Sequence, residues 1–446
     1  MPIVPVNKRR GPKVTAVDIL GGGLAGCEAA YYLARNGVPV RLWEMRPKKN
    51  TPAHQTGDLA ELVCSNSLKS EVVNTAQGLL KREMQVLGSL LLECAAETRV
   101  PAGSALAVDR RKFAQAVTGV ISQDPNITII REEARELPDN GLTIVATGPL
   151  TSNDLSRDLQ RLNDEDSLHF FDAIAPSILA ESLDNHIIYR ASRYGKGTAD
   201  YLNCPMNQAE YERFYEELIN ADIKEGHSID MPFFQACMPV EVLARSGPDT
   251  MRFGPLRPVG LEKDPNSARP YAVVQLRQED TAGRIYGLVG FQTRLRWGEQ
   301  NRVFRLIPGL ENAEFVRYGS IHRNTFINSP RLLLPTLQWN KDLRVFFAGQ
   351  ITGVEGYMES AATGIVAGIN AYRYWHGQEP ITPPPTTMIG ALIKFITGAQ
   401  DGHFQPINAN FGLLPTLEVR VKDKQKRYHA YAQRALHDMD EFSELL

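Results

Sequence analysis

The sequence predicts an α/β chain in which a Rossmann-like nucleotide-binding domain is built from discontinuous segments and interrupted by an inserted α/β domain. Three glycine-marked stretches carry that expectation: residues 16–44 (AVDILGGGLAGCEAAYYLARNGVPVRLWE), 142–149 (LTIVATGP) and 343–371 (LRVFFAGQITGVEGYMESAATGIVAGINA). Each reads as an apolar strand entering a turn of small residues, and two continue into a helix rich in Ala and Gly.

The first stretch has the strand, turn, helix and second strand of a dinucleotide site. Gly21 permits the tight turn, Gly23 lets the backbone approach a pyrophosphate, and Gly26 brings the helix close to the strand. The same turn includes Gly22, Leu24 and Ala25, at a helix N-terminus whose free N–H groups and dipole favour phosphate. Glu44 ends the second strand at the spacing where a carboxylate accepts a ribose 2′-OH and repels a 2′-phosphate, which points to FAD or NAD.

The second stretch ends in Ala-Thr-Gly, where Thr147 and Gly148 allow close backbone approach to a ligand. The third places Gly349 and Gln350 in a turn and Gly356 and Tyr357 at the start of a helix. Both are similar to characteristic segments of FAD-dependent enzymes, and that resemblance implies FAD. Such enzymes usually carry Asp where this chain has Gln350, whose amide still hydrogen-bonds a ribityl hydroxyl. The N-terminus of the helix at Tyr357 is then expected to face the flavin pyrimidine ring.

These stretches must meet at one cofactor, so residues 14–188 and 330–446 are expected to form the nucleotide-binding domain, with 189–329 as the insertion and 1–13 as an N-terminal arm. Within the insertion, 206–221 reads as a polar helix and 272–276 and 285–291 as strands, while 380–387 is a Pro-rich connector to a C-terminal helical region. A net charge of −2 means that a nucleic-acid partner must be held by a local basic patch. No apolar run reaches the roughly 20 residues of a membrane span, and the first residues lack the apolar stretch of a signal peptide. A cytoplasmic protein is expected.

Five scattered cysteines, Cys27, Cys64, Cys94, Cys204 and Cys237, include no CxxC pair, so neither a disulfide framework nor a metal site is expected. Two have unusual surroundings. Cys64 lies among small polar residues in LAELVCSNSLKS, and Cys237 opens a loop-forming run, ACMPVEVLARSGPDTMRFGPLRPVGL.

Those two motifs, with GGGLAGCEAA, GFQTRLRWGEQNRVFRLIPGLENAEFVRYGSIHRNTFINSP and FFAGQITGVEGYMESAATG, closely resemble the TrmFO family. Its members are bacterial folate- and FAD-dependent tRNA (uracil-5-)-methyltransferases related to the GidA flavoproteins. The resemblance runs from about residue 14 to the C-terminal helical region. It implies transfer of the one-carbon unit of 5,10-methylenetetrahydrofolate to C5 of the tRNA T-loop uridine at position 54. FAD, reduced by NADPH or NADH, completes the methyl group, and no obligate protein partner is implied. A ribosomal RNA uridine is an alternative target. The GidA reaction on wobble uridine is another, though GidA proteins carry a further C-terminal helical domain beyond what residues 388–446 provide.

Uracil C5 is a feeble nucleophile, so a thiolate must add at C6 to form the enolate that attacks carbon. The resemblance implies Cys237 and Cys64 as the functional pair, with Cys237 the expected C6 nucleophile and Cys64 the thiol near the flavin. A free thiol is only a few per cent ionised at neutral pH, and Arg245 and Arg252 are candidates to favour the anion near Cys237. Folate needs a stacking platform and a cation for its glutamate tail, for which Trp297, Arg294, His322 and Arg323 are candidates. Residues 284–331 hold eight arginines against three glutamates, interleaved with aromatics, which suits phosphate contact and base stacking. A second basic stretch, 420–434, reads as an amphipathic helix that could grip tRNA.

Overall fold

The computed structural model describes residues 15–163, 168–195, 198–224, 238–263, 267–398 and 404–446. Val17–Leu20 is a fully buried strand, Leu24–Arg35 a helix, and Val40–Trp43 the parallel neighbour of the first strand. The helix buries Ala25, Cys27, Ala29, Ala30 and Leu33, a face of mostly small side chains that lies close to the sheet. Leu142–Val145 pairs on the other side of Val17–Leu20, and Asp342–Phe347 beyond it, all parallel. Ile127–Ile130 and the short antiparallel Gln338–Trp339 complete six strands. The three glycine-marked strands are therefore adjacent in space, and parallel pairing brings Gly21, Thr147 and Gly349 to one edge. That edge, at the carboxyl ends of the strands, is where open α/β sheets bind ligands.

A second six-stranded sheet is antiparallel, in the order Tyr189–Ala191, Tyr201–Met206, Ala272–Gln278, Ile285–Leu288, Ser177–Leu179, Phe315–Arg317. Helices Gln208–Ile219 and Trp297–Phe304 cover it, with Phe214 and Phe304 making tilted and edge contacts with Phe291 between them. The helix read over 206–221 and the strand read from 272 are both present. The sheet also recruits Ser177–Leu179, upstream of the expected boundary at 189. A three-residue strand offers too little alternation to be read from sequence.

Helix Tyr357–Trp375 packs lengthwise on Leu24–Arg35. Glycine makes the approach: a Cβ at Gly364 would stand 2.7 Å from Ala25 Cα, and one at Gly368 3.1 Å from Ala29 Cα. Two buried carboxylates then tie in further helices by serving as their caps. Glu28 accepts from Ser89 Oγ and from the Leu90 and Leu91 amides, and Glu83 accepts from the Met388 and Ile389 amides at 2.7 and 2.9 Å. Helix Met388–Thr397 is docked in this way, and helix Lys424–Ser443 contains much of the expected basic stretch.

Gly364→Ala should lose about 1–3 kcal/mol from overpacking. Gly119→Ala, in an open position of helix Arg110–Gln123, should gain up to about 1 kcal/mol. Urea unfolding of both variants checks the pair, and equal effects would contradict the packing. Burial pushes the Glu28 carboxyl up to about 7 and Glu83 up to about 8. The unfolded chain releases these protons near pH 4.3, so between about pH 4 and 8 the native state binds more protons and stability falls as pH rises. Glu83→Gln should flatten that decline, and an unchanged pH slope of the urea midpoint would contradict it.

Candidate active site

Two cavities meet at Leu150, which lines both. The first, with an empty volume of about 560 Å³, is walled by Gly21, Gly22, Gly23, Glu44, Arg46 and Thr147. The second, about 1170 Å³, is walled by Cys64, Ser65, Gln350, Gly356 and Tyr357 from one unit and by Arg277, Gln292 and Asn324 from the other. Helix Leu24–Arg35 starts at Gly23 and helix Tyr357–Trp375 at Gly356, and neither N-terminus has a side-chain cap. Unpaired N–H groups thus reach the walls of both cavities and need an external acceptor. A Cβ on Gly23 would meet nothing within 4 Å, whereas one on Gly26 would overlap the Gly21 carbonyl. Gly26 therefore serves packing, and Gly23 keeps the cleft floor bare backbone. Bare backbone and open helix N-termini at these walls fit a dinucleotide cofactor such as FAD.

Glu44 differs from expectation. Its Oε1 accepts from the Arg46 amide and Nε, both at 2.9 Å, and its Oε2 from Gly22 N at 3.2 Å and Arg46 Nη2 at 2.9 Å. Burial would raise its pKa, but the Arg46 contacts bring it below the ordinary carboxylate value. Four acceptor positions are filled, so a ribose hydroxyl reaching Glu44 must replace one of these donors. Arg46 Nη1 also reaches Glu61 at 3.2 Å.

Loop 59–66 carries Cys64 and is fixed along its length. Ala60 N donates to Gly22 O (2.9 Å), the Cys64 and Ser65 amides donate to Tyr357 Oη (2.8 and 3.0 Å), and Asn66 Nδ2 donates to the Val108 and Gln278 carbonyls. Burial, with Cys64 alongside, pushes the Tyr357 phenol up, so it stays neutral. Three guanidiniums surround the loop. Arg110 donates to Leu62 O and Cys64 O, Arg317 to Val63 O, and Arg277 to Ser65 Oγ and Asn66 Oδ1. The buried Glu279 pairs with Arg110 (2.8 Å) and Arg317 (3.7 Å). Burial would raise the Glu279 pKa, but Arg110, Arg317 and Arg277 hold it down. Burial and Arg110 push Arg317 down to about 10, still protonated at neutral pH. One carboxylate against three cations leaves a positive field behind Cys64.

The other described cysteines have different settings. Cys27, Cys94 and Cys204 are buried, and burial pushes each thiol up. Cys64 is the partly exposed one and lines the larger cavity.

Comparison with known proteins agrees with this arrangement. The family described as glucose inhibited division protein A (GidA) matches residues 16–379. The chain is 66% identical to a methylenetetrahydrofolate--tRNA-(uracil-5-)-methyltransferase TrmFO of Syntrophomonas wolfei, over 96% of this chain and 99% of that protein. Against the protein of the same name from Moorella thermoacetica it is 58% identical, over 94% and 96%. The chain belongs to the TrmFO family. The fold is also that of Aquifex aeolicus GidA, with a TM-score of 0.69 at 20% identity over 96% of this chain and 74% of that one.

For this TrmFO chain, the structure brings together Gly21, Gly22, Gly23, Glu44 and Thr147 in one cavity, and Cys64, Gln350, Gly356 and Tyr357 in the other. Leu24 and Ala25 open the helix between them, and Gly148 and Gly349 adopt φ values of +66° and +83° that favour glycine. Gln350 donates its amide to Glu355 (2.6 Å). Cys237 and the side chains of His322 and Arg323 lie outside the described residues.

Arg294 is not where its expected folate role would put it. It is 3% exposed, faces the buried Glu241, and is absent from both cavity walls. Trp297 is exposed and stacks on Tyr318 (5.4 Å) with Lys224 over its ring, also outside the cavity lining. Arg245 donates to Ile219 O, and Arg252 pairs with Asp249 (2.6 Å). Sequence reasoning missed Arg110, Arg277, Glu279 and Arg317, which converge only in three dimensions. It also missed Asn324, whose buried Nδ2 has no partner among the described residues and whose side chain lines the larger cavity. The YGSIHRN motif contained that residue.

Gly23→Ala should fold with the wild-type urea midpoint, because its Cβ has room, yet lose most bound FAD because the methyl group stands where phosphate must approach. Flavin absorbance per protein after purification checks this, and full occupancy would contradict the assignment of the cleft.

Proposed function

We propose that this protein transfers the one-carbon unit of 5,10-methylenetetrahydrofolate to C5 of a tRNA uracil as a methyl group, with tRNA as its macromolecular partner. The target is the T-loop uridine, NADPH or NADH supplies reducing equivalents, and the protein works in the cytoplasm. The observation that carries this reading is the placement of Cys64 on the wall of the larger cavity, beside the open helix start at Tyr357. A simple flavin oxidoreductase does not need a positioned thiol there.

FAD, when bound, supplies the electrons that complete the methyl group. The chain's own residues have other tasks. The two uncapped helix N-termini would hold FAD through its phosphate and ring oxygens, and Tyr357 accepts from the amides of Cys64 and Ser65 and so fixes that loop. Arg110, Arg277 and Arg317 fix the loop carbonyls and side chains around Cys64. Asn324 offers an amide with no partner among the described residues to an acceptor in the cavity, such as a carbonyl of uracil or of the donor. Cys237 is assigned the attack on uracil C6, which makes C5 nucleophilic, and Cys64 the handling of the methylene group and the C5 proton. The assignment of Cys237 rests on the resemblance of its motif, ACMPVEVLARSGPDTMRFGPLRPVGL, to the TrmFO family.

Labelled 5,10-methylenetetrahydrofolate, NADPH and unmodified tRNA test the function, with label expected in 5-methyluridine of the T-loop. Label in ribosomal RNA alone, or flavin bleaching with no transfer, would contradict it. Cys237→Ala should abolish both methylation and the covalent complex with 5-fluorouracil-containing tRNA, while Cys64→Ala should abolish methylation and retain the complex. A complex that survives Cys237→Ala would reverse the two roles.

A further inference from the structure

The inserted unit carries a third hollow, which shares no lining residue with either cavity and which none of these roles uses. It has an empty volume of about 1080 Å³ and is lined by Arg252, Phe253, Arg257, Arg269, Pro270 and Tyr271 among others. Phe253 is 82% exposed, the most exposed of the large apolar side chains among the described residues. The charge around it is uneven. Arg252 is paired with Asp249 and lies 3.5 Å over the Tyr271 ring, and Arg269 is paired with Glu262. Arg257 has no carboxylate partner among the described residues, only a 3.4 Å bond to the Tyr194 hydroxyl. Arg193 lies just behind, donating to the Val259 and Arg257 carbonyls, and its pKa is lowered first by burial and then by Arg257. Four guanidiniums against two carboxylates leave a cationic surface around one open aromatic ring.

We propose that this surface docks the RNA substrate, with a backbone phosphate at Arg257 and an unpaired base stacked on Phe253. A cation beside an open ring suits nucleic acid, because phosphate is met by the charge and every base has a face that stacks. Contact between two copies of this chain is disfavoured, since a two-fold axis would set the patch against itself, cation to cation. The position suits a large substrate. Strand Ala272–Gln278 begins at the Tyr271 wall of the hollow and ends with Arg277 on Ser65 and Asn66, a rise of about 20 Å. An RNA with its target base beside Cys64 carries backbone past Arg257. The proposal rests on the tRNA reading above and adds a docking surface outside the catalytic cavity.

The test uses full-length, FAD-loaded protein and unmodified tRNA, with Kd measured across a salt series. Arg257→Glu should weaken binding about tenfold near 0.1 M salt and reduce the slope of log Kd against log salt by about one. Phe253→Ala should weaken binding about tenfold with the slope unchanged. In methylation assays both should raise KM for tRNA by the same factor at constant kcat. Variants that bind tRNA like the wild type would overturn the docking surface alone. Unchanged tRNA binding with a change in sedimentation would overturn it in favour of contact between copies. Wild-type protein that does not bind tRNA would overturn the underlying reading as well.

Discussion

The site depends on the near contact of two helices, Leu24–Arg35 and Tyr357–Trp375, at Gly364 and Ala25. Any side chain at Gly364 would separate them, and their N-termini open onto the two cavities. The first helix starts at the bare turn of Gly21–Gly23 and the second at Gly356, each without a side-chain cap. Parallel pairing of Val17–Leu20, Leu142–Val145 and Asp342–Phe347 sets the turns at one edge, and the helix contact fixes their separation. Burial of small residues therefore converts three sequence motifs into one binding surface.

The same contact positions the chemistry. Tyr357, first residue of the second helix, accepts from the amides of Cys64 and Ser65, while Ala60 of the same loop donates to Gly22. A loop held at both helix starts cannot shift without disturbing the walls of both cavities. The inserted unit closes the arrangement from its side through Arg277 and Arg317, with Glu279 held ionised between Arg110 and Arg317. Breaking such a buried network by removing its one carboxylate leaves uncompensated cations, a costly state. The joint between the units and the field at Cys64 thus have a common origin.

Much of this was legible in the sequence because it depends on local rules. Gly21, Gly23 and Gly26 at their spacing specify a strand-turn-helix, and Cys64 among Ser and Asn is a poor core residue. The roles of two glycines could also be told apart, although only the structure shows that Gly26 touches backbone and Gly23 faces open space. What was not legible requires convergence of distant residues. Glu279 meets Arg110 and Arg317 from two distant segments, and no spacing announces that. Glu44 has the spacing of a ribose acceptor, and only the structure shows that Arg46, two residues on, also bonds to both its oxygens. Arg294 looked like a ligand residue by charge, and burial against Glu241 gives it a structural place. The strand Ser177–Leu179 was too short to be seen and moves the start of the second sheet upstream.

The central claim is that Cys64 shares one cavity with the cofactor's ring. Alkylation of Cys64, followed peptide by peptide by mass spectrometry with and without FAD, tests it most directly. The expected result is ready labelling of Cys64 in the FAD-free protein, strong protection when FAD is restored, and unlabelled Cys27, Cys94 and Cys204 in both states. Labelling of Cys64 at the same rate with and without FAD would contradict the shared cavity.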